Sequence, residues 1–157
     1  MGTDIHIHLE YRSRKTKIYH YCGELNSERE YGIFNVMAGS EVSGDGDSLY
    51  PVRGLPGDVT QTTYNYYKEW DGDAHHASWL NTNEFASCIV DAYIRMNSID
   101  ALKLYKEYED LWKKIRLITR VPKKNDDCLL SYKKILDHML SYEKDGEPCR
   151  IIFWFDN

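Results

Sequence analysis

Asp4-Ile5-His6-Ile7-His8-Leu9-Glu10-Tyr11 decides the fold class of this chain. Apolar and polar residues alternate without a break. Ile5, Ile7 and Leu9 point one way, and Asp4, His6, His8 and Glu10 point the other. That is the period of a β-strand with one apolar face. The polar residues would then form the open face of an edge strand. Ser13-Arg14-Lys15-Thr16-Lys17 reads as a polar turn, and Ile18–Cys22 as the return strand of a hairpin. At the far end, Arg150-Ile151-Ile152-Phe153-Trp154-Phe155 is β-branched and aromatic. It reads as a buried strand that joins the hairpin.

Helical signals lie between. Residues 28–38 space Tyr31, Phe34 and Met37 along one face, and Gly39 can end that helix. Asn81, Thr82 or Asn83 can cap a helix running to about Met96, and Ser98 or Asp100 can cap the next. In that second helix Leu104, Tyr108, Leu111, Ile115 and Ile118 follow helical spacing. A further helix covers about 127–143, with Leu129, Leu136, Met139 and Leu140 inward, before an Asp145-Gly146 turn. The expectation is an α+β fold. Its N- and C-terminal strands form a small antiparallel sheet, residues 39–75 form a long ordered loop, and the C-terminal half is helical. The aromatic residues of that loop (Tyr50, Tyr64, Tyr66, Tyr67 and Trp70) argue for order.

The chain has 157 residues, which fits one domain, residues 1–157. A chain of that size buries roughly 70% of its unfolded surface and needs no metal or disulfide to fold. Its net charge of −5 argues against a general DNA or RNA binder, while leaving room for a small anion held by local cations. Cys22, Cys88, Cys128 and Cys149 form no CxxC pair and read as reduced thiols. The N-terminal MGTDIH has no apolar signal region, and no apolar run approaches the roughly 18 residues of a membrane span. A cytosolic protein is expected.

Three constellations could carry chemistry. Asp4, His6 and His8 share a strand face, so the imidazoles could line a structural surface, share a metal or contact a ligand. A (β/α)₈ barrel, where such pairs hold metals, needs about 200 residues or more. In Arg53-Gly54-Leu55-Pro56-Gly57-Asp58, Gly and Pro fix a tight turn, and Gly54 lets a ligand or another backbone come close. Arg53 suits phosphate or base stacking, or pairs with a neighbouring Asp in a rigid turn. Between Trp70 and Leu80, Asp73, His75, Ser78 and Trp79 crowd together just before a helix. Asp73 and His75 could be a metal pair or an acid/base pair, or Asp73 and Ser78 could satisfy turn and cap hydrogen bonds. No P-loop, nucleophile elbow, HExxH or zinc-finger spacing is present.

Taken together, MGxDIH (Met1–His6), RxYxxF (Arg29–Phe34), RGLPxD (Arg53–Asp58), WxxDxHxxSWL (Trp70–Leu80) and FWFDN (Phe153–Asn157) resemble a group of small bacteriophage proteins. Part of that group is similar to phage anti-CBASS sponges. These bind cyclic nucleotide immune signals such as cyclic GMP–AMP without cleaving them. The resemblance covers the ends and middle of the chain; residues 84–145 carry no motif. It implies a non-enzymatic, cofactor-free and metal-free protein of the infected bacterial cytoplasm. Its partner would be a cyclic oligonucleotide rather than DNA, RNA or a membrane. It would be a homo-oligomer, with a tetramer as one form.

Under that reading Arg53 contacts phosphate or base, and His6 and His75 hydrogen-bond the ligand. Tyr31, Tyr64, Trp70 and Trp79 supply stacking surfaces. Asp4, Asp73 and Ser78 stand beside them, and Gly54 and Leu55 shape the loop that carries Arg53. Two other classes compete. One is a metal-dependent phosphodiesterase or hydrolase built on Asp4, His6, Asp73 and His75. The other is a protein–protein inhibitor of a host defence factor.

Overall fold

The computed structural model describes residues 2–43, 46–97 and 129–157. In chain order these form β1 (Asp4–Arg12), β2 (Tyr19–Leu25), α1 (Tyr31–Ala38), α2 (Ser40–Ser43), α3 (Gln61–Glu69), β3 (His75–Asn81), α4 (Thr82–Asn97), α5 (Leu130–Lys144) and β4 (Cys149–Asp156). The expected α+β class holds. The sheet order is β2-β1-β4-β3, and every neighbouring pair is antiparallel. The helix expected after Ser98 lies outside the described residues.

β4 organises the sheet. All its residues except Asp156 are buried, so it needs cover on both faces and a strand on each side. β1 supplies one side, in unbroken register from Asp4↔Asp156 to Tyr11↔Cys149. β3 supplies the other, with a bulge between His75 and Ser78. β1 is therefore an interior strand, not the edge strand its polar residues suggested.

One face of the sheet meets the aliphatic core. Ile7 and Leu9 of β1 and Ile151, Phe153 and Phe155 of β4 pack with Phe34, Phe85, Ile89, Leu136 and Met139 from α1, α4 and α5. Each such side chain contributes about 1.5–3 kcal/mol on full burial. Asn81 caps α4 reciprocally. Its side chain accepts from the Glu84 amide at 2.9 Å, and its own amide donates to Glu84 Oε2 at 3.0 Å.

The opposite face is covered too. His8 and Glu10 of β1 and Arg150, Ile152 and Trp154 of β4 are all buried there. The cover is α3, which lies inside the stretch expected to be a long loop. Thr60 starts it, with a side chain that accepts from the Thr63 amide. Tyr66 of α3 packs on His8, Tyr67 meets Trp154 edge-on at 5.3 Å, and Trp70 just beyond the helix reaches His6. His8 lies flat on Trp154, 4.8 Å between centroids and 11° between planes. Burial, and then the nearby His6, lowers the His8 imidazole to about 4.

Candidate functional site

Glu10 and Arg150 are register partners, so their side chains rise from the same face of the sheet. Glu10 Oε1 accepts from Arg150 Nε at 3.0 Å and Nη2 at 2.7 Å. Glu10 Oε2 accepts from the Thr60 amide at 3.0 Å and from the Thr60 and Thr63 hydroxyls at 2.5 and 2.7 Å. Both carboxylate oxygens are thus fully employed, which offsets the desolvation of a buried charge. The guanidinium lies under the Tyr19 ring, 3.5 Å from its centroid. Its remaining nitrogen, Nη1, donates to Asp58 Oδ1 at 2.6 Å.

Arg150, the outer member of this pair, lines an open cleft of about 700 Å³. The cleft lies between the β1–β2 hairpin and the Arg53–Asp58 turn. Arg12 shares the Glu10 face of β1, two residues on, and Tyr19 is its cross-strand partner. Lys17 comes from the hairpin turn, where its carbonyl accepts from Arg12 Nε at 2.9 Å. Leu55, Pro56 and Gly57 line the other side, and Arg53 and Trp79 complete the wall. Four cations and two aromatic rings therefore meet a single carboxylate, Asp58, among the described lining residues. Such a surface attracts an anion and offers planes for a flat ring.

The turn that carries Arg53 is fixed at both ends. The Arg53 amide donates to Ser78 Oγ at 3.0 Å, and the Gly54 amide donates to the Ala77 carbonyl at 2.8 Å. Gly54 has φ 74°, where a Cβ costs about 1–2 kcal/mol. No protein atom lies within 4 Å of that Cβ position, so the demand the protein itself places on this glycine is the dihedral. The Arg53 side chain lies over Trp79, 4.6 Å from the ring centroid. Its two terminal nitrogens meet Glu84 Oε2 at 2.9 Å and Oε1 at 2.6 Å. The partner is a helix-capping Glu rather than the neighbouring Asp. Burial alone would raise the Glu84 carboxyl. The bonds from Arg53 and the Asn81 amide outweigh it and hold Glu84 below its ordinary value.

The remaining sequence candidates gather elsewhere. β1 separates Asp4 and Arg12 by eight residues, roughly 26 Å of strand. At the Asp4 end, Asp4 pairs with Arg29 at 2.7 Å, and Tyr31 stands beside Gly2 and Arg29. His6 packs on Trp70 at 4.2 Å with the rings tilted by 37°, and meets Asp156 Oδ2 at 3.0 Å. His75 Nδ1 faces His76 Nδ1 at 2.8 Å rather than Asp73, which is exposed in the turn after α3. His76 reaches Glu41 at 2.9 Å from a left-handed backbone of φ 51°. Tyr64 lies exposed on α3. Among the described residues no group of three or more His, Cys, Asp or Glu side chains is placed to hold a metal ion, so Asp4, His6, Asp73 and His75 do not converge.

Arg53, Leu55 and Trp79 thus share the cleft, with Gly54 and Ser78 supporting them. Arg12, Lys17, Tyr19, Asp58 and Arg150 complete it, although sequence reasoning did not single them out as ligand contacts. Arg150 carried one usable signal, a charge opening an otherwise apolar strand. Cys22, Cys88 and Cys149 are free thiols, and burial pushes Cys149 up to about 12. Among the described residues no helix is long and apolar enough to cross a membrane. Comparisons with protein-family models, with curated proteins and with solved structures find no match to this chain.

Proposed function

We propose that this protein binds a cyclic oligonucleotide of the cyclic GMP–AMP kind in the Arg12–Arg53–Arg150 cleft and sequesters it without cleavage. The observation that carries the reading is the cleft itself: four cations with two aromatic rings, Tyr19 and Trp79, already stacked on arginines. Phosphates take the cations, and bases extend the stacks. Arg12 and Lys17 form no side-chain ion pair with a carboxylate among the described residues, so they offer the least committed charges. The phage-like motifs supply the biological setting, evasion of a host nucleotide signal in the bacterial cytoplasm.

A sequestering protein works by affinity and copy number, so it needs no turnover. The proposal includes a homo-oligomer, with a tetramer as one form, to be read by light scattering. The test is to incubate the protein with cyclic di- and trinucleotides and to follow binding and ligand integrity together. Retention with release of intact ligand supports sequestration. Linear products overturn it in favour of a hydrolase. Absence of binding makes a host protein the target to seek.

A further inference from the structure

Arg150 is held on three sides. Glu10 fixes Nε and Nη2, and Tyr19 covers the guanidinium face. The Asp58 carbonyl takes a second bond from Nη2 at 3.1 Å. What remains is Nη1, and the Asp58 carboxylate occupies it at 2.6 Å. The two partners differ sharply in exposure. The Arg150 side chain is 4% exposed and that of Asp58 is 69% exposed. One end of this ion pair is built into the sheet, and the other stands in solvent on a turn that follows Gly57.

We infer that Asp58 is a displaceable occupant of the phosphate position. Its carboxylate accepts from Arg150 Nη1 in the free protein, and a phosphate oxygen of the ligand takes its place. The inference rests on the cleft reading above and adds a regulation to it. Glu10 is too deeply bonded to yield, so the exchange is confined to Nη1. Asp58 can leave because its carboxylate is solvated and its backbone carbonyl still holds the turn to Nη2. Asp58 meets Nη1 from the solvent side through one oxygen, so a phosphate that also reaches Arg12 or Lys17 wins the exchange. A ligand with a single weak anion does not. The device selects for polyanions and suppresses monocarboxylates.

Pyrophosphate is a suitable probe, titrated by calorimetry into wild type, Asp58→Asn and Asp71→Asn. Asp71 lies past the other end of α3 and removes the same charge away from the cleft. Asp58→Asn should bind roughly tenfold tighter, because the competing occupant of Nη1 loses its charge and a repelling carboxylate is removed. Asp71→Asn should stay within about twofold of wild type. Asp58→Ser repeats the test if the amide disturbs the turn. If wild type binds, Arg12→Ala weakens it and neither Asp58 variant tightens it, the cleft stands and the displacement idea is overturned. Equal tightening by Asp58→Asn and Asp71→Asn also overturns it, as a long-range charge effect. If no variant binds, both the cleft reading and the displacement idea fall.

Discussion

Glu10 and Arg150 face each other across β1 and β4, and neither keeps more than 4% of its side chain in solvent. The pair sits where the covered face of the sheet opens into the cleft. It couples the interior to the Asp58 turn on one side and to α3 on the other. Removing one partner leaves the other charged and buried, at a cost of about 3–5 kcal/mol. Glu10→Ala should therefore shift urea unfolding by that amount. The double replacement Glu10→Leu with Arg150→Met should recover most of the loss. Equal losses in the single and double variants would contradict the coupling.

Arg53 stands in a different position, because Glu84 and Trp79 hold it at the cleft edge. Arg53→Ala should cost about 2 kcal/mol, from one charge-assisted fork and one stacked face. Arg53→Lys should rescue little, since an ammonium cannot satisfy both Glu84 oxygens in one plane. Thermal unfolding of the two variants reads this directly.

The same pair predicts an acid limb. Glu84 is held below its ordinary value in the folded state, so its contribution is present above the unfolded value and lost as pH falls through the folded one. Denaturation series from about pH 5 downward, starting just above the ordinary Glu value near 4.3, should show the loss in wild type. Arg53→Ala should flatten it.

His8 predicts a second limb at higher pH. Its folded value of about 4 lies below the unfolded 6.5, so the unfolded chain binds the extra proton first. Stability should therefore fall as pH drops from 6.5 to 4, by about 3 kcal/mol in all. His8→Phe, which keeps a flat ring on Trp154, should remove that slope. An NMR titration that places His8 near 6.5 in the folded protein would contradict the account.

Much of the fold is legible in the sequence. The alternation of 4–11 marks β1, and the β-branched run 150–155 marks β4, because a strand buried on both faces is apolar throughout. The capping residues before α4 include its actual cap, Asn81. α3 is harder to see. In Gln61–Glu69 the one buried residue is Thr63, and the contacts are made by Tyr66 and Tyr67, so no aliphatic stripe betrays the helix. β3 is masked by its bulge: Ser78 and Leu80 alternate inward, but His76 breaks the pattern with φ 51°. Glu10 misleads for a physical reason. An acidic residue at an alternating position reads as solvent-facing, yet five hydrogen bonds bury it. Of the site, the Arg53 turn and Trp79 are readable as local motifs. Arg12, Tyr19 and Arg150 join them only through strand pairing, which no local motif encodes.

The most direct test of the central claim uses wild type and the double variant Arg12→Ala/Lys17→Ala, whose substitutions lie at the hairpin rim of the cleft. Each is incubated with a panel of cyclic di- and trinucleotides, separated from free ligand, denatured and analysed by chromatography. If the cleft sequesters the nucleotide, wild type retains one of these ligands and releases it intact. The account also predicts that the double variant loses at least about tenfold in affinity, as two phosphate contacts disappear. Linear products, or equal retention by both proteins, would contradict it.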